Sequence, residues 1–366
     1  MLSYVVIKQQ TALWKQQEST KKRNYLFIEK LPGRCVDAVI LMHVNGISHL
    51  VYTKFQYLRY KQLSSREKLF HEIENSAGIA MGHHSHSITD LTAIDNTIYS
   101  CSYDNTVKSW GLTNTGLTHQ RIYDLRRSDN LHSLLSRISS CPESNLFATG
   151  SSCGTVYVFD SRSRNNPIKH YRPYPRDVIS LAMNAEYILS ANEDKTVSVW
   201  DQRAGRVMKS ITIPGEAPCE CINMRRDWIF VGDRDAKLHI LNLNNDFELV
   251  KSYSTEHTNS ITRVHLTHEC LITSSMDGTV RISSLTDPPQ PIATLRSEMR
   301  CIYDMDYLND TVAVTGDAGI EVWFPKLKRV QRNNCLISRP GVPAAWCPSR
   351  SAVRSSLSIR DNSQDK

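Results

Sequence analysis

The stretch Asp194-Lys-Thr-Val197-Ser-Val-Trp200 decides the fold. An acidic turn residue is followed by a run in which Val197 and Val199 share one face, the alternation of a half-buried strand. A short apolar run, Tyr187-Ile-Leu-Ser-Ala191, precedes the turn. The two runs read as a hairpin, with an Asp at the turn because its carboxylate bonds nearby backbone. Outward from here the unit recurs as Asp104-Asn-Thr-Val107-Lys-Ser-Trp110, Asp235-Ala-Lys-Leu238-His-Ile-Leu241, Asp277-Gly-Thr-Val280-Arg-Ile-Ser283 and Asp317-Ala-Gly-Ile320-Glu-Val-Trp323. Cys153-Gly-Thr-Val156-Tyr-Val-Phe159 is a sixth copy that has lost the Asp. The branched residue falls at 107, 156, 197, 238, 280 and 320, at intervals of 49, 41, 41, 42 and 40.

This period, with these residues, resembles the WD40 repeat and predicts an all-β fold, a WD40 β-propeller. One blade cannot bury both of its faces; a closed ring of blades buries them and leaves few free edges. The 366-residue length alone suggests two domains, but a propeller of six or seven blades runs as one. Residues 36–53 read as the first two strands of a seventh blade. No Gly-Ser-x-Asp turn and no Trp strand follow them, so residues 54–80 are expected to be irregular. Tyr25-Leu-Phe-Ile-Glu29 reads as an outer strand closing the ring against the last blade. The expected division is an N-terminal segment 1–24, a propeller 25–325 and a basic, disordered tail 326–366.

Charge is uneven. Residues 324–366 hold nine Lys/Arg and two Asp, a net +7 that equals the net charge of the whole chain. Ser, Pro and Arg dominate that tail, a composition that cannot bury a core. Neither an aromatic RNA-binding motif nor a DNA-reading helix accompanies the basic residues, so nucleic acid is not an expected partner. The start, Met1-Leu-Ser-Tyr-Val-Val-Ile-Lys8, lacks a secretory pattern, and no run has the length of a spanning helix. Ten scattered cysteines fit a reducing compartment. The expected location is intracellular, cytoplasmic or nuclear, with no membrane partner. Cys219-Glu-Cys221 is expected on one face of a strand, where it suits packing better than zinc.

Catalytic motifs are missing: there is no phosphate loop, nucleophile elbow or HExxH. No enzymatic activity, cofactor or metal is therefore expected. Gly82-His-His-Ser-His86 is the densest His cluster but lacks a fourth ligand at metal spacing. The WD40 resemblance assigns these residues instead to a structural network, in which a His before each blade bonds the turn Asp. His86, His170 and His257 are the expected partners of Asp104, Asp194 and Asp277, with Trp110 and Trp200 in the same network. Arg300 and Tyr303 beside Cys301 raise a reactive thiol as an alternative to an inner strand. Tyr103, Arg234 and Met276 are candidate partner contacts by their position in blade turns.

Two consecutive copies end alike, in Phe159-Asp160-Ser-Arg162 and Trp200-Asp201-Gln-Arg203. Each resembles the WDxR box of WD40 receptors that dock on the cullin-4 adaptor. The resemblance places Arg162 and Arg203 side by side on one rim, with Asp160 and Asp201 fixing their turns. Longer runs go further: Asp90-Leu-Thr-Ala-Ile-Asp-Asn-Thr-Ile-Tyr-Ser-Cys101, Leu189 to Gly205, and Thr279-Val-Arg-Ile-Ser-Ser-Leu-Thr-Asp-Pro-Pro-Gln290. They are similar to the F-box/WD-repeat protein 9 subfamily, over about 87–324. The resemblance implies a substrate-recognition subunit of an SCF-type ubiquitin ligase, bound to a Skp-type adaptor through an F-box and to a substrate degron through the propeller. A cullin-4 receptor and a scaffold outside ubiquitin transfer are the alternatives. Residues 1–24 are too few for the three-helix F-box, so no complete F-box is expected within them.

Overall fold

The structure, a computed structural model, describes residues 25–30, 36–63, 83–113, 116–126, 134–163 and 166–324. Seven antiparallel sheets among these residues form a seven-bladed β-propeller. Blade 1 comprises Val39–Val44, Ile47–Lys54 and Tyr57–Leu63. Blade 2 comprises Ile88–Ile94, Thr97–Ser102, Thr106–Thr113 and Gly116–Asp124, and blade 3 Leu135–Cys141, Leu146–Ser151, Val156–Asp160 and Lys169–Tyr171. Blade 4 holds Val178–Met183, Tyr187–Asn192, Thr196–Asp201 and Arg206–Thr212, and blade 5 Cys219–Arg225, Trp228–Asp233, Lys237–Asn242 and Glu248–Ser254. Blade 6 holds Ile261–Leu266, Cys270–Ser275, Thr279–Ser284 and Pro291–Arg296. Blade 7 is built from Ile302–Leu308, Thr311–Gly316 and Gly319–Trp323, and Tyr25–Lys30 pairs with the last of these as its outer strand. The two ends of the propeller therefore share one sheet.

Residues 54–63 correct the sequence reading. Tyr57–Leu63 is a regular strand, paired residue for residue with Ile47–Lys54. It was illegible because its turn, Lys54-Phe55-Gln56-Tyr57 with Phe55 at φ 56°, contains no Asp, Asn or Gly. Tyr60 is buried on that strand and packs with Val51 and with Trp110 of the next blade. Residues 64–80, the segment 1–24 and the tail 326–366 lie outside the described residues.

The core lies between blades. The third-strand Trp fills the gap to the preceding blade: Trp110 packs with Met42 and Val51, Trp200 with Val158 and Tyr171, and Trp323 with Ile282 and Ala293. Apolar burial at roughly 25 cal/mol per Å² then drives ring closure as well as blade formation.

First strands carry a recurrent irregularity. The register slips between Ile88 and Asp90, Val178 and Ser180, Cys219 and Cys221, Ile261 and Arg263, and Ile302 and Asp304. An extra residue in one strand of a pair re-aims its neighbours. Cys219 and Cys221 consequently do not share one face. Cys219 joins Ala191 and Val231, while Cys221 joins Phe230 and Ile261 of the next interface. Both are buried, and burial pushes each thiol up to about 12.

Candidate protein-interaction rims and channel

Blade 2 builds the full network. The loop before its first strand places His84 with Nδ1 2.9 Å from Asp104 Oδ2 and Nε2 2.8 Å from Ser100 Oγ. Trp110 Nε1 donates to the same Ser100 Oγ at 2.9 Å. Asp104 also accepts from the Ser85 backbone N–H and from the Thr106 hydroxyl. Burial alone would raise the Asp104 carboxyl, but the hydrogen bond and charge of His84 hold it well below the usual carboxylate range. Burial lowers the His84 imidazole. The expected partner His86 is wrong: it is exposed, and only its carbonyl takes part, accepting from Ser102 Oγ. Both His residues lie in one four-residue run, and only loop geometry distinguishes them.

Blade 6 repeats the arrangement through His257, which reaches Asp277 at 3.0 Å and Thr273 Oγ1 at 2.9 Å. Blade 4 does not. His170 sits exposed on the outer strand of blade 3, opposite Tyr157, and among the described residues Asp194 bonds only Thr196. The place of the His is taken by Tyr174, which turns outward to Ser210 Oγ at 2.6 Å. Its carbonyl lies against Gly154, where an added Cβ would fall 1.8 Å from Tyr174 O, so this close approach requires glycine. Among the described residues, Trp200 Nε1 and Ser190 Oγ are buried without partners. Blade 5 uses an arrangement that the sequence reading missed. Asp233, not Asp235, holds the turn, and His239 of the third strand bonds it at 3.1 Å. The legible signal was the acidic pair Asp233-Arg-Asp235 with a His on the alternating strand.

The central channel is a cavity of about 310 Å³ walled by the first strands of all seven blades. Its charged residues were also missed. Arg263 of blade 6 binds Asp304 of blade 7 and reaches Asp90 of blade 2 at 2.6 Å, across the two intervening blades. The carboxylates also staple neighbours: Asp90 accepts the Ile138 N–H at 3.1 Å, Asp304 the Val39 N–H at 2.9 Å and Asp306 the Leu41 N–H at 2.6 Å. Removing one partner of a buried ion pair costs about 3–5 kcal/mol. These groups therefore fix the ring, with their lone pairs committed to it. Burial pushes the Asp306 carboxyl up to about 6. The spacing was readable, since a charged residue stands two after the first buried Ile in Ile88-Thr-Asp90, Ile261-Thr-Arg263 and Ile302-Tyr-Asp304.

Burial, with the Asp317 charge, raises the Cys301 thiol, the opposite of what a reactive cysteine needs. Among the described residues no group of three or more His, Cys, Asp or Glu is arranged to hold a metal ion, and no helix is long and apolar enough to cross a membrane.

The two rims differ. Turns between second and third strands line one rim. Tyr103 is 44% exposed there, Met276 is half-buried, and Arg234 is engaged by Glu220 at 2.8 Å. Arg162 and Arg203 follow the third strands of adjacent blades and so stand on the opposite rim. Arg162 folds back on Asp160 through Nε at 3.0 Å and Nη2 at 2.8 Å. Asp201 instead accepts the backbone N–H groups of Arg203 and Ala204, and among the described residues the Arg203 guanidinium has no partner. The same four-residue pattern in Tyr123-Asp124-Leu125-Arg126 makes the same local ion pair on the other rim. The pattern by itself therefore encodes a turn.

The family model for the WD domain, G-beta repeat (WD40) matches residues 78–111 and 247–282, which include the first three strands of blade 2, and the outer strand of blade 5 with the first strands of blade 6; blades 2 and 6 are the two with a complete His–Asp pair from the preceding loop. The chain therefore carries WD40 repeats on a seven-bladed propeller. This WD40 protein is 30% identical to human F-box/WD repeat-containing protein 9 over 241 residues, 66% of its own length and 50% of the relative's. It is 28% identical to the Bos taurus protein of the same name over 242 residues. It is also 36% identical, over 121 residues, to the ribosome biogenesis protein YTM1 of Scheffersomyces stipitis. The chain spans about half the length of the F-box/WD relatives it matches.

Proposed function

We propose that this WD40 protein is a non-catalytic, protein-binding subunit that presents a substrate to a cullin–RING ubiquitin ligase of the SCF type. Similarity to F-box/WD repeat-containing protein 9 across 241 residues carries this reading. The propeller fits it physically. Its charged channel groups are spent on ring closure, whereas its rims expose aromatic and Arg side chains of the kind that dominate protein contacts. The substrate would be a short peptide degron, and no cofactor enters.

A second reading rests on Arg203, whose guanidinium is exposed and unpaired on the same rim as Arg162. It makes the chain a receptor for the cullin-4 adaptor. One experiment separates the two: affinity capture of the tagged chain under proteasome inhibition, for the wild type and for Arg162→Ala/Arg203→Ala. Both arginines are surface groups, so the double variant is expected to stay within about 0.5 kcal/mol of wild-type stability. Co-purification of a Skp-type adaptor with cullin-1, unchanged in the variant, supports the first reading. Capture of the cullin-4 adaptor, lost in the variant, replaces it with the second. Recovery of neither adaptor sinks both and leaves a scaffold outside ubiquitin transfer.

A further inference from the structure

The third-strand position that meets the preceding blade is Trp110 in blade 2, Phe159 in blade 3, Trp200 in blade 4, Leu241 in blade 5 and Trp323 in blade 7, each 8% exposed or less. In blade 6 it is Ser283, only half-buried. A cavity of about 130 Å³ opens there, between blades 5 and 6, lined by Leu238, Leu271, Thr273, Arg281, Ser283 and Ala293 among others.

The polar groups in this notch match those around an indole elsewhere in the ring. Ser100 stands opposite Lys108 in blade 2 as Thr273 stands opposite Arg281 in blade 6. Ser100 Oγ meets His84 Nε2 and accepts the Trp110 N–H. Thr273 Oγ1 meets His257 Nε2 at 2.9 Å, with no indole beside it. A hydroxyl oxygen has two acceptor sites, so one that Trp110 uses in blade 2 is spare in blade 6. Arg281 supplies a second mark: its Nη1 pairs with Glu256, while its Nε is buried without a partner among the described residues. A buried donor left unsatisfied costs about 1–3 kcal/mol, which an incoming carbonyl would recover.

We propose that the notch between blades 5 and 6 binds a tryptophan side chain presented by a partner polypeptide. The indole N–H donates to Thr273 Oγ1, the ring lies on Leu238 and Leu271, and a backbone carbonyl of the partner accepts from Arg281 Nε. Hydrogen-bond complementarity selects indole over an aliphatic anchor, because Thr273 offers an acceptor that Leu or Ile cannot use.

The test titrates N-acetyl-L-tryptophanamide, with N-acetyl-L-leucinamide as comparison, into the full chain while methyl signals of Leu238 and Leu271 are followed by NMR. The tryptophan amide is expected to shift both signals and to bind at least about tenfold more tightly than the leucine amide, a difference of about 1.4 kcal/mol. Ser283→Trp, which supplies the indole from within, is expected to abolish those shifts and to raise Tm. Equal binding of the two amides, no shift with the tryptophan amide, or undiminished binding to a folded Ser283→Trp would each overturn the proposal. Should Ser283→Trp fail to fold, the two-amide comparison on the wild type decides alone.

Discussion

Blades 2 and 4 carry the same sequence signature and do not contain the same structure. Each has the turn Asp, the alternating strand, a Ser on the second strand and the Trp at its end. In blade 2, His84 links Asp104 to Ser100, and Trp110 completes the chain. In blade 4 no His among the described residues takes that place, and Ser190 Oγ and Trp200 Nε1 are buried without partners among them. Trp200 is held instead by stacking, its ring 3.8 Å from that of Tyr171 and nearly parallel to it. A blade can therefore be secured by packing alone, and the hydrogen-bonded chain is an addition whose worth can be measured by contrast.

The largest contrast is expected from removing the His position in each blade. His84→Ala strands a buried carboxylate and should cost about 2–3 kcal/mol in urea unfolding, whereas Tyr174→Ala should cost under about 0.5 kcal/mol. Equal costs would mean that the chain of hydrogen bonds contributes nothing beyond packing.

The pH dependence sharpens the same contrast. The Asp104 carboxyl is depressed in the folded state, so its contribution is present above the unfolded value of about 3.9 and lost as pH falls toward the folded one. The His84 imidazole is also lowered, so the unfolded chain takes up its proton first and stability falls as pH drops below about 6.5. Both shifts tilt stability the same way. Chemical denaturation between pH 7 and 3.5 should show a shallower acid-side loss in His84→Ala than in the wild type. Parallel curves would remove the His84–Asp104 pair as their source.

A smaller effect separates the two indoles. Trp110→Phe leaves Ser100 short of a donor and should cost about 1 kcal/mol more than Trp200→Phe, which loses no hydrogen bond. The smallest is expected from transplanting the His. Tyr174→His should change stability by no more than about 0.5 kcal/mol, because the side chain at 174 is directed to Ser210 and the loop backbone lies against Gly154. A gain of 2 kcal/mol would show that the residue alone, and not the loop path, makes the network.

The same distinction explains what was legible. Turn chemistry and period-two alternation are local, and they gave six of the blades and two strands of the seventh. Tyr57–Leu63 escaped because its turn at Phe55 contains no Asp, Asn or Gly, although pairing with Ile47–Lys54 forms the strand regardless. His257 is legible because it is the sole His in its loop, whereas spacing alone does not distinguish His84 from His86, neighbours in one loop. Arg162 and Arg203 were legible as a pair, but whether a guanidinium bonds its own turn or faces outward depends on side-chain conformation. The charged residues of the channel were readable as a spacing and not as a site, because Asp90 and Arg263 are 173 residues apart.

The sequence by itself determined the repeat, the strand pairs and the closed all-β ring, because each rests on residues within one period. Only the tertiary structure decided which His meets which Asp, which polar groups close the channel, and that Ser283 leaves a notch where other blades place a large apolar side chain. Those outcomes depend on the path of a loop and the approach of a neighbouring blade, neither of which is written in any single repeat.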